Sequence, residues 1–244
     1  MQEQIVSFTA SKLAEQLGTA DIEAIRVLTY KIALNAEKII QSERLLFACK
    51  KLYKKSFFEG TSGNVSVRLS DGSILITPSA VSKDSLRLEE LVRTDLDGNV
   101  LEGFCKPSSE IKMHLAVYKN RAEITACIHA HPPFSVAFCA SSVKLDTSLL
   151  AEAALILGEV PCVKYATPST NEVPDFLIPH LKNCNNFLLS NHGLLALGLN
   201  LDQALSRAET LEFTAKVTAI AKGLGEKMNF LSRDQLAYLF DTHS

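Results

Sequence analysis

The 244-residue sequence predicts one α/β domain, a mixed or antiparallel sheet covered by helices. Three observations carry that expectation. Apolar residues recur with helical period at both ends of the chain and alternate with period two near its middle. The helices also fail to alternate strictly with strands, as a doubly wound parallel sheet would require. Hydrophobic residues at 47% and charged residues at 21% fit a soluble globular chain.

Residues 1–55 read as helix. Asp21 is placed to cap a segment running to Lys38, and a second helix covers 42–55, with Leu45, Leu46, Cys49 and Leu52 on one face. The period then changes. Val65, Val67 and Leu69 alternate with Ser66 and Arg68, Asp71-Gly72 supplies a turn, and residues 74–76 complete a hairpin. A strand over 91–96 ends at the turn-forming Asp97-Gly98-Asn99. Ser108 or Ser109 caps a helix to about Asn120, residues 124–130 are strand-like, and Pro132-Pro133 opens a helix to Ala140. Strands over 160–165 and 186–190 flank a helix over 171–183. A long amphipathic helix over 202–223 and a short one over 232–240 follow.

Several functions are disfavoured at once. Lys and Arg total 25 against 27 Asp and Glu, a formal charge of −2 with no basic stripe, so neither nucleic acid nor an anionic membrane is expected as partner. No apolar run approaches the roughly 18 residues of a membrane span. The best, around 148–158, is broken by Glu152. Met1-Gln2-Glu3-Gln4 lack the basic region and apolar core of a signal peptide, so export is not expected. The six cysteines form no Cys-x-x-Cys pair and read as reduced thiols of a cytoplasmic protein.

The histidines carry more information. On a strand, His129 and His131 project to one face about 6.6 Å apart, a workable chelating pair. His192, in Ser190-Asn191-His192-Gly193, also follows an apolar strand, and Gly193 permits unusual backbone angles. Alone, the pair reads more simply as surface histidines and His192 as a buried histidine bonded to neighbours. Together, three histidines at two strand ends suit a catalytic zinc site with one position open. His114, His180 and His243 read as structural or solvated. Three loops complete the candidates: Lys106-Pro107-Ser108-Ser109-Glu110 at a helix start, Gly60-Thr61-Ser62-Gly63-Asn64, and Thr77-Pro78-Ser79-Ala80. Each offers hydroxyls or backbone N–H groups to an anion, and each alone is more simply a cap or turn.

Taken in order, Gly63-Asn64-Val65-Ser66, Thr77-Pro78-Ser79, Pro107-Ser108-Ser109-Glu110, His129-Ala130-His131 and Asn191-His192-Gly193 resemble the class II aldolase/adducin family. The likeness is nearest to its L-fuculose-phosphate aldolase branch, because related epimerases usually carry aspartate at the Glu110 position. The resemblance implies a three-layer α/β/α sandwich around a largely antiparallel sheet, and a homotetramer with active sites between subunits. It implies that His129, His131 and His192 hold Zn2+, with Mn2+ or Co2+ also suited to imidazole. Glu110 would exchange protons beside the metal, and Gly63, Asn64, Ser79, Ala80, Ser108 and Ser109 would bind a substrate phosphate. The implied reaction cleaves a small phosphorylated ketose to dihydroxyacetone phosphate and an aldehyde through a metal-stabilised enediolate. Epimerisation, dehydration or decarboxylation of a sugar phosphate is the alternative. A non-enzymatic adducin-like module, which lacks the metal site, fits less well.

The sequence also departs from the family pattern. Ser79-Ala80 stands where many members have Thr-Gly, and Leu150 falls where the fuculose-phosphate enzyme uses a tyrosine on the aldehyde side. The tail to Ser244 is too short to supply that enzyme's second tyrosine. Residues 1–40 are expected to form an N-terminal helical extension to a catalytic domain over 41–244.

Overall fold

The alternating segments pair into an eight-stranded sheet in the computed structural model, which describes residues 22–225 and 227–243 together with Lys12 and Glu15. Its strands are β1 (Asn64–Arg68), β2 (Ile74–Ile76), β3 (Val92–Thr94), β4 (Val100–Glu102), β5 (Ala126–Ala130), β6 (Cys162–Val163), β7 (Asn186–Leu189) and β8 (Gly193–Gly198). The spatial order is β4-β3-β2-β1-β5-β8-β7-β6. Every neighbouring pair is antiparallel except β6 with β7.

Period two sends alternate residues to opposite faces, and here both faces are buried. Val65, Val67, Ile128 and Leu194 enter one core with helices α1 (Ile22–Lys54), α3 (Pro133–Cys139), α4 (Ala151–Leu157) and α6 (Leu201–Gly223). Ile74, Cys127, Phe187 and Leu195 enter the other, under α2 (Ile111–Asn120) and α5 (Glu172–Leu181). The result is the expected α/β/α sandwich around a largely antiparallel sheet. A final helix, α7 (Arg233–His243), follows α6 in sequence and contacts α4.

Several elements differ from the sequence expectation. Where two N-terminal helices were expected, α1 is one helix of 33 residues, because no glycine or proline interrupts it. Residue 40 therefore lies inside a continuous helix. The Asp21 cap, the residues Met1 to Gln4 and the Ser244 terminus lie outside the described residues. Strand β8 gives no alternating signal, since Gly-Leu-Leu-Ala-Leu-Gly is buried on both faces throughout. Helix α4 occupies the apolar run around Glu152. The strand expected over 160–165 shortens to two residues, because Pro161 has no N–H for the ladder. The strand expected over 91–96 shortens to Val92–Thr94, and an exposed edge strand, β4, pairs with it after the Asp97-Gly98-Asn99 turn.

All six cysteines are free, and burial pushes the Cys49, Cys127 and Cys139 thiols up to about 12. Among the described residues, no helix is long and apolar enough to cross a membrane.

Phe187 on β7 is fully buried in the second core. Phe187→Ala is expected to cost about 3–5 kcal/mol, read as a lowered midpoint in urea denaturation with an unchanged slope.

Candidate metal centre and anion-binding loops

The three histidines expected at strand ends meet at one point. His129 lies on β5, and His131 follows that strand on the same face, their Nε2 atoms 2.9 Å apart. The three-residue turn from β7 to β8 carries His192, whose Nε2 lies 3.2 Å from His129 Nε2. Glu110, at the N-cap of α2, places Oε2 3.2 Å from His129 Nε2 and Oε1 3.2 Å from His192 Nε2. One ligand atom from each of the four residues falls within 4.8 Å of the others, a group able to hold a metal ion.

The donor set fits such an ion. Tetrahedral ligands at the usual metal–nitrogen distance stand about 3.3 Å from one another. The observed separations of 2.9–3.2 Å lie close to that. His129 Nδ1 donates to the Leu194 carbonyl at 2.8 Å, which leaves the Nε2 lone pair facing the cluster. Burial lowers His131 to about 3, helped by the nearby His129 and His192 rings, so its imidazole is neutral and free to ligate. Burial alone would raise the Glu110 carboxyl, but the His129 and His192 imidazoles outweigh it and hold Glu110 well below the usual carboxylate range. Burial would likewise lower His129, and the Glu110 charge instead raises it.

Local structure fixes these side chains. A Cβ on Gly193 would lie 2.4 Å from His131 Cδ2 and 2.5 Å from the Ala130 carbonyl oxygen. Gly193 is thus required for close approach, while the left-handed backbone angle of the turn falls on Asn191, with φ 55°. On the far side of Pro132, Glu212 of α6 accepts from the Phe134 and Ser135 backbone N–H groups at 3.0 and 2.8 Å, anchoring the start of α3.

A buried polar chain backs Glu110. Asn64 Nδ2 donates to Glu110 Oε2 at 2.9 Å, so Asn64 Oδ1 faces His114 Nε2, 2.5 Å away. That nitrogen must carry the proton, and burial keeps His114 neutral by lowering it to about 3. His114 Nδ1 therefore accepts from Ser66 Oγ at 2.6 Å, and Ser66 Oγ accepts from the Tyr118 hydroxyl at 2.7 Å. His114 is structural, as expected, and fully buried with no solvated edge. The contributions of Ser66 and Tyr118 were not anticipated. Their signal lay in spacing: Glu110, His114 and Tyr118 share a helix face, and Ser66 lies two residues after Asn64 on a strand.

The three loops, separate in sequence, are joined by hydrogen bonds from backbone N–H groups. Val65 N–H donates to Thr77 Oγ1 at 3.2 Å, Ser108 N–H to the Thr77 carbonyl at 3.1 Å, and Ser79 N–H to the Lys106 carbonyl at 2.9 Å. Gly63 takes φ +70°, and a Cβ there would strike the Phe58 ring at 2.4 Å. Ser108 is buried with its hydroxyl turned back to the Glu110 N–H at 3.3 Å, whereas Ser109 is exposed. Helix α2 therefore starts at Ile111, later than a Ser108 or Ser109 cap implies, and Glu110 sits at its cap. Ala80 is exposed and holds φ 58°, a strained conformation that glycine adopts freely. Leu150 packs partly buried against the first core.

Two variants test this architecture. Gly193→Ala is expected to displace His131 and lower metal affinity at least tenfold, measured by competition with a chromogenic chelator. Ala80→Gly is expected to stabilise the fold by about 1 kcal/mol in thermal denaturation, since it relieves the left-handed strain.

Comparisons with known proteins agree with the geometry. The family described as Class II Aldolase and Adducin N-terminal domain matches residues 43–219. An L-fuculose phosphate aldolase of Methanococcus maripaludis is 33% identical over 179 residues, covering 72% of this chain and 94% of that protein. A 3-oxo-tetronate 4-phosphate decarboxylase of Haemophilus influenzae is 31% identical over 199 residues, covering 80% and 93%. The solved structure of an L-fuculose 1-phosphate aldolase superposes with a TM-score of 0.74 at 31% identity, over 83% of this chain and 95% of that one. The five ordered motifs, the sandwich and these matches lead to one conclusion: the chain belongs to the class II aldolase and adducin family.

Proposed function

We propose that the chain is a metal-dependent lyase, an aldolase that cleaves a small phosphorylated ketose of the L-fuculose-phosphate kind to dihydroxyacetone phosphate and an aldehyde. The observation that carries this reading is the convergence of Glu110, His129, His131 and His192 beside three small-residue, hydroxyl-bearing loops that hydrogen bonds hold together. The relatives named for aldolase activity on a phosphorylated sugar support it.

In this reading His129, His131 and His192 hold Zn2+, a choice that imidazole nitrogen suits, as it also suits Mn2+ and Co2+. The bound ion supplies a Lewis acid where negative charge develops on the donor fragment. Glu110, kept ionised by its histidine neighbours, moves the proton at the donor carbon. Asn64 holds one Glu110 oxygen through one amide hydrogen and keeps a second for substrate. Gly63, Asn64, Ser79, Ala80, Ser108 and Ser109 bind the phosphate and so fix the donor fragment in register with the metal. The same reading makes the enzyme cytoplasmic and a homotetramer with active sites between subunits. Exposed Phe47 on α1 and Phe213 on α6 support burial against further copies. Residues 1–40 then extend a catalytic domain over 41–244.

A second reading keeps the site and changes the reaction to decarboxylation, epimerisation or dehydration of a sugar phosphate. The decarboxylase relative and the packed Leu150 at a position expected to carry tyrosine favour it. A scaffold that has lost its metal site fits poorly, since the three histidines and Glu110 are present and converged.

Elemental analysis of the purified protein, followed by a ketose-phosphate panel scored for products, decides among these. Triose phosphate plus aldehyde supports the aldolase, whereas carbon dioxide, water loss or an isomer supports the second reading. His129→Ala is expected to lose both metal and turnover, and full activity without metal would overturn the proposal. Glu110→Gln should keep the metal through three imidazoles while turnover falls about 10²–10⁴-fold.

A further inference from the structure

Lys83 is almost completely buried, an unusual place for an ammonium group. Its Nζ donates to the Thr61 carbonyl at 3.0 Å and to the Val81 carbonyl at 2.8 Å. Thr61 belongs to the loop ending in Gly63-Asn64, and Val81 directly follows Ser79-Ala80. One buried cation therefore ties together two of the three anion-binding loops. Among the described residues no carboxylate lies within ion-pair reach of it. Its one electrostatic neighbour is the Cys49 thiol, which burial pushes up to about 12 and so keeps uncharged. Burial also lowers Lys83 from its usual range. Taking a cation out of water without a counter-charge is costly, and structures rarely hold one unpaired. Carbonyl oxygens orient this ammonium but leave its charge uncompensated.

We propose that Lys83 is the fixed counter-charge of the anion site built by the 60–64 and 77–81 loops, neutralised when a phosphate group docks on their outer face. The inference rests on the phosphate reading of those loops and supplies its electrostatic basis. Nζ is buried directly against the loop backbone, so the cation's field reaches the loop surface with little screening. A surface lysine such as the exposed Lys106 is solvated and screened, and adds less. Because the same side chain clamps both loops through their carbonyls, charge and shape arrive together.

Inorganic phosphate is the probe, with binding read by calorimetry and by the rise in Tm on metal-loaded protein. The variants are Lys83→Gln, which keeps a donor without charge, and Lys83→Met, which keeps neither. Circular dichroism and metal content serve as controls for the fold. Phosphate affinity is expected to fall about tenfold or more in both variants, as loss of a desolvated charge partner does. If Lys83→Gln binds phosphate within about twofold of wild type, Lys83 is only a clamp and the proposal is overturned. A measurement on the wild type needs no variant to fold: the Lys83 ammonium, followed by NMR of isotope-labelled lysine, should titrate at higher pH once phosphate saturates the protein. An unchanged titration overturns the proposal as well. A wild type that ignores phosphate altogether fails the phosphate reading itself, a result distinct from variants that bind as well as wild type.

Discussion

The pairing of β1 with β5 is the constraint on which the site depends. Its register sets Asn64 opposite His129 and Ser66 opposite Cys127. Since a one-residue slip would turn every side chain to the other face, this single register decides where the polar residues go. With it in place, His129 and Asn64 share a face beneath α2, and Glu110 at the start of α2 reaches both. Strand β8 then completes the frame from the other edge of β5. Leu195 lies opposite His129, and the Leu194 carbonyl receives the His129 Nδ1–H. Three adjacent strands thus set the position, tautomer and partner of one imidazole.

The polar chain behind Glu110 explains why so many polar groups are buried in an otherwise apolar layer. Asn64, Ser66 and His114 are nearly or wholly buried, a cost that only full hydrogen bonding offsets. Each donor in the chain has one acceptor, from the Tyr118 hydroxyl to the Glu110 carboxylate. The direction of every bond is set by the fact that an ionised carboxylate only accepts. Such a chain has one low-energy arrangement, so it holds the Glu110 oxygen it meets in place before any ligand arrives.

How much of this was legible depends on the kind of signal. Strand β1 was readable because its residues alternate, β2 because the Asp71-Gly72 turn precedes it, α2 and α6 because apolar residues recur with helical period, and α3 because Pro132-Pro133 marks its start. Strand β8 was not, because a strand buried on both faces has no alternation to read. The break placed near residue 40 had no residue to enforce it, and α1 runs through. Within the site, the histidines and Glu110 announced themselves by type and spacing. Lys83, Ser66 and Tyr118 did not, since a lysine after a turn or a serine on a strand is ordinary until its neighbours are known. Long-range register decides those neighbours, and no local pattern encodes it.

The net charge of −2 looks at first like a poor start for a protein that would draw an anion. Net charge governs long-range attraction, however, and salt at physiological strength screens that within about 8 Å. Short-range complementarity works inside that distance. The loop N–H groups, the Ser108 and Ser79 segments held against each other, the Lys83 ammonium and the imidazole cluster all lie within one small region of the sheet. In the proposed reading the buried Lys83 ammonium supplies a positive charge directly behind the loops, so the site does not depend on the sign of the chain's net charge. A basic exterior would gather nucleic acids and acidic proteins without discrimination. In the proposed reading, attraction confined to the loops would let a small dianion be recognised by shape and charge together, with no need for a basic exterior.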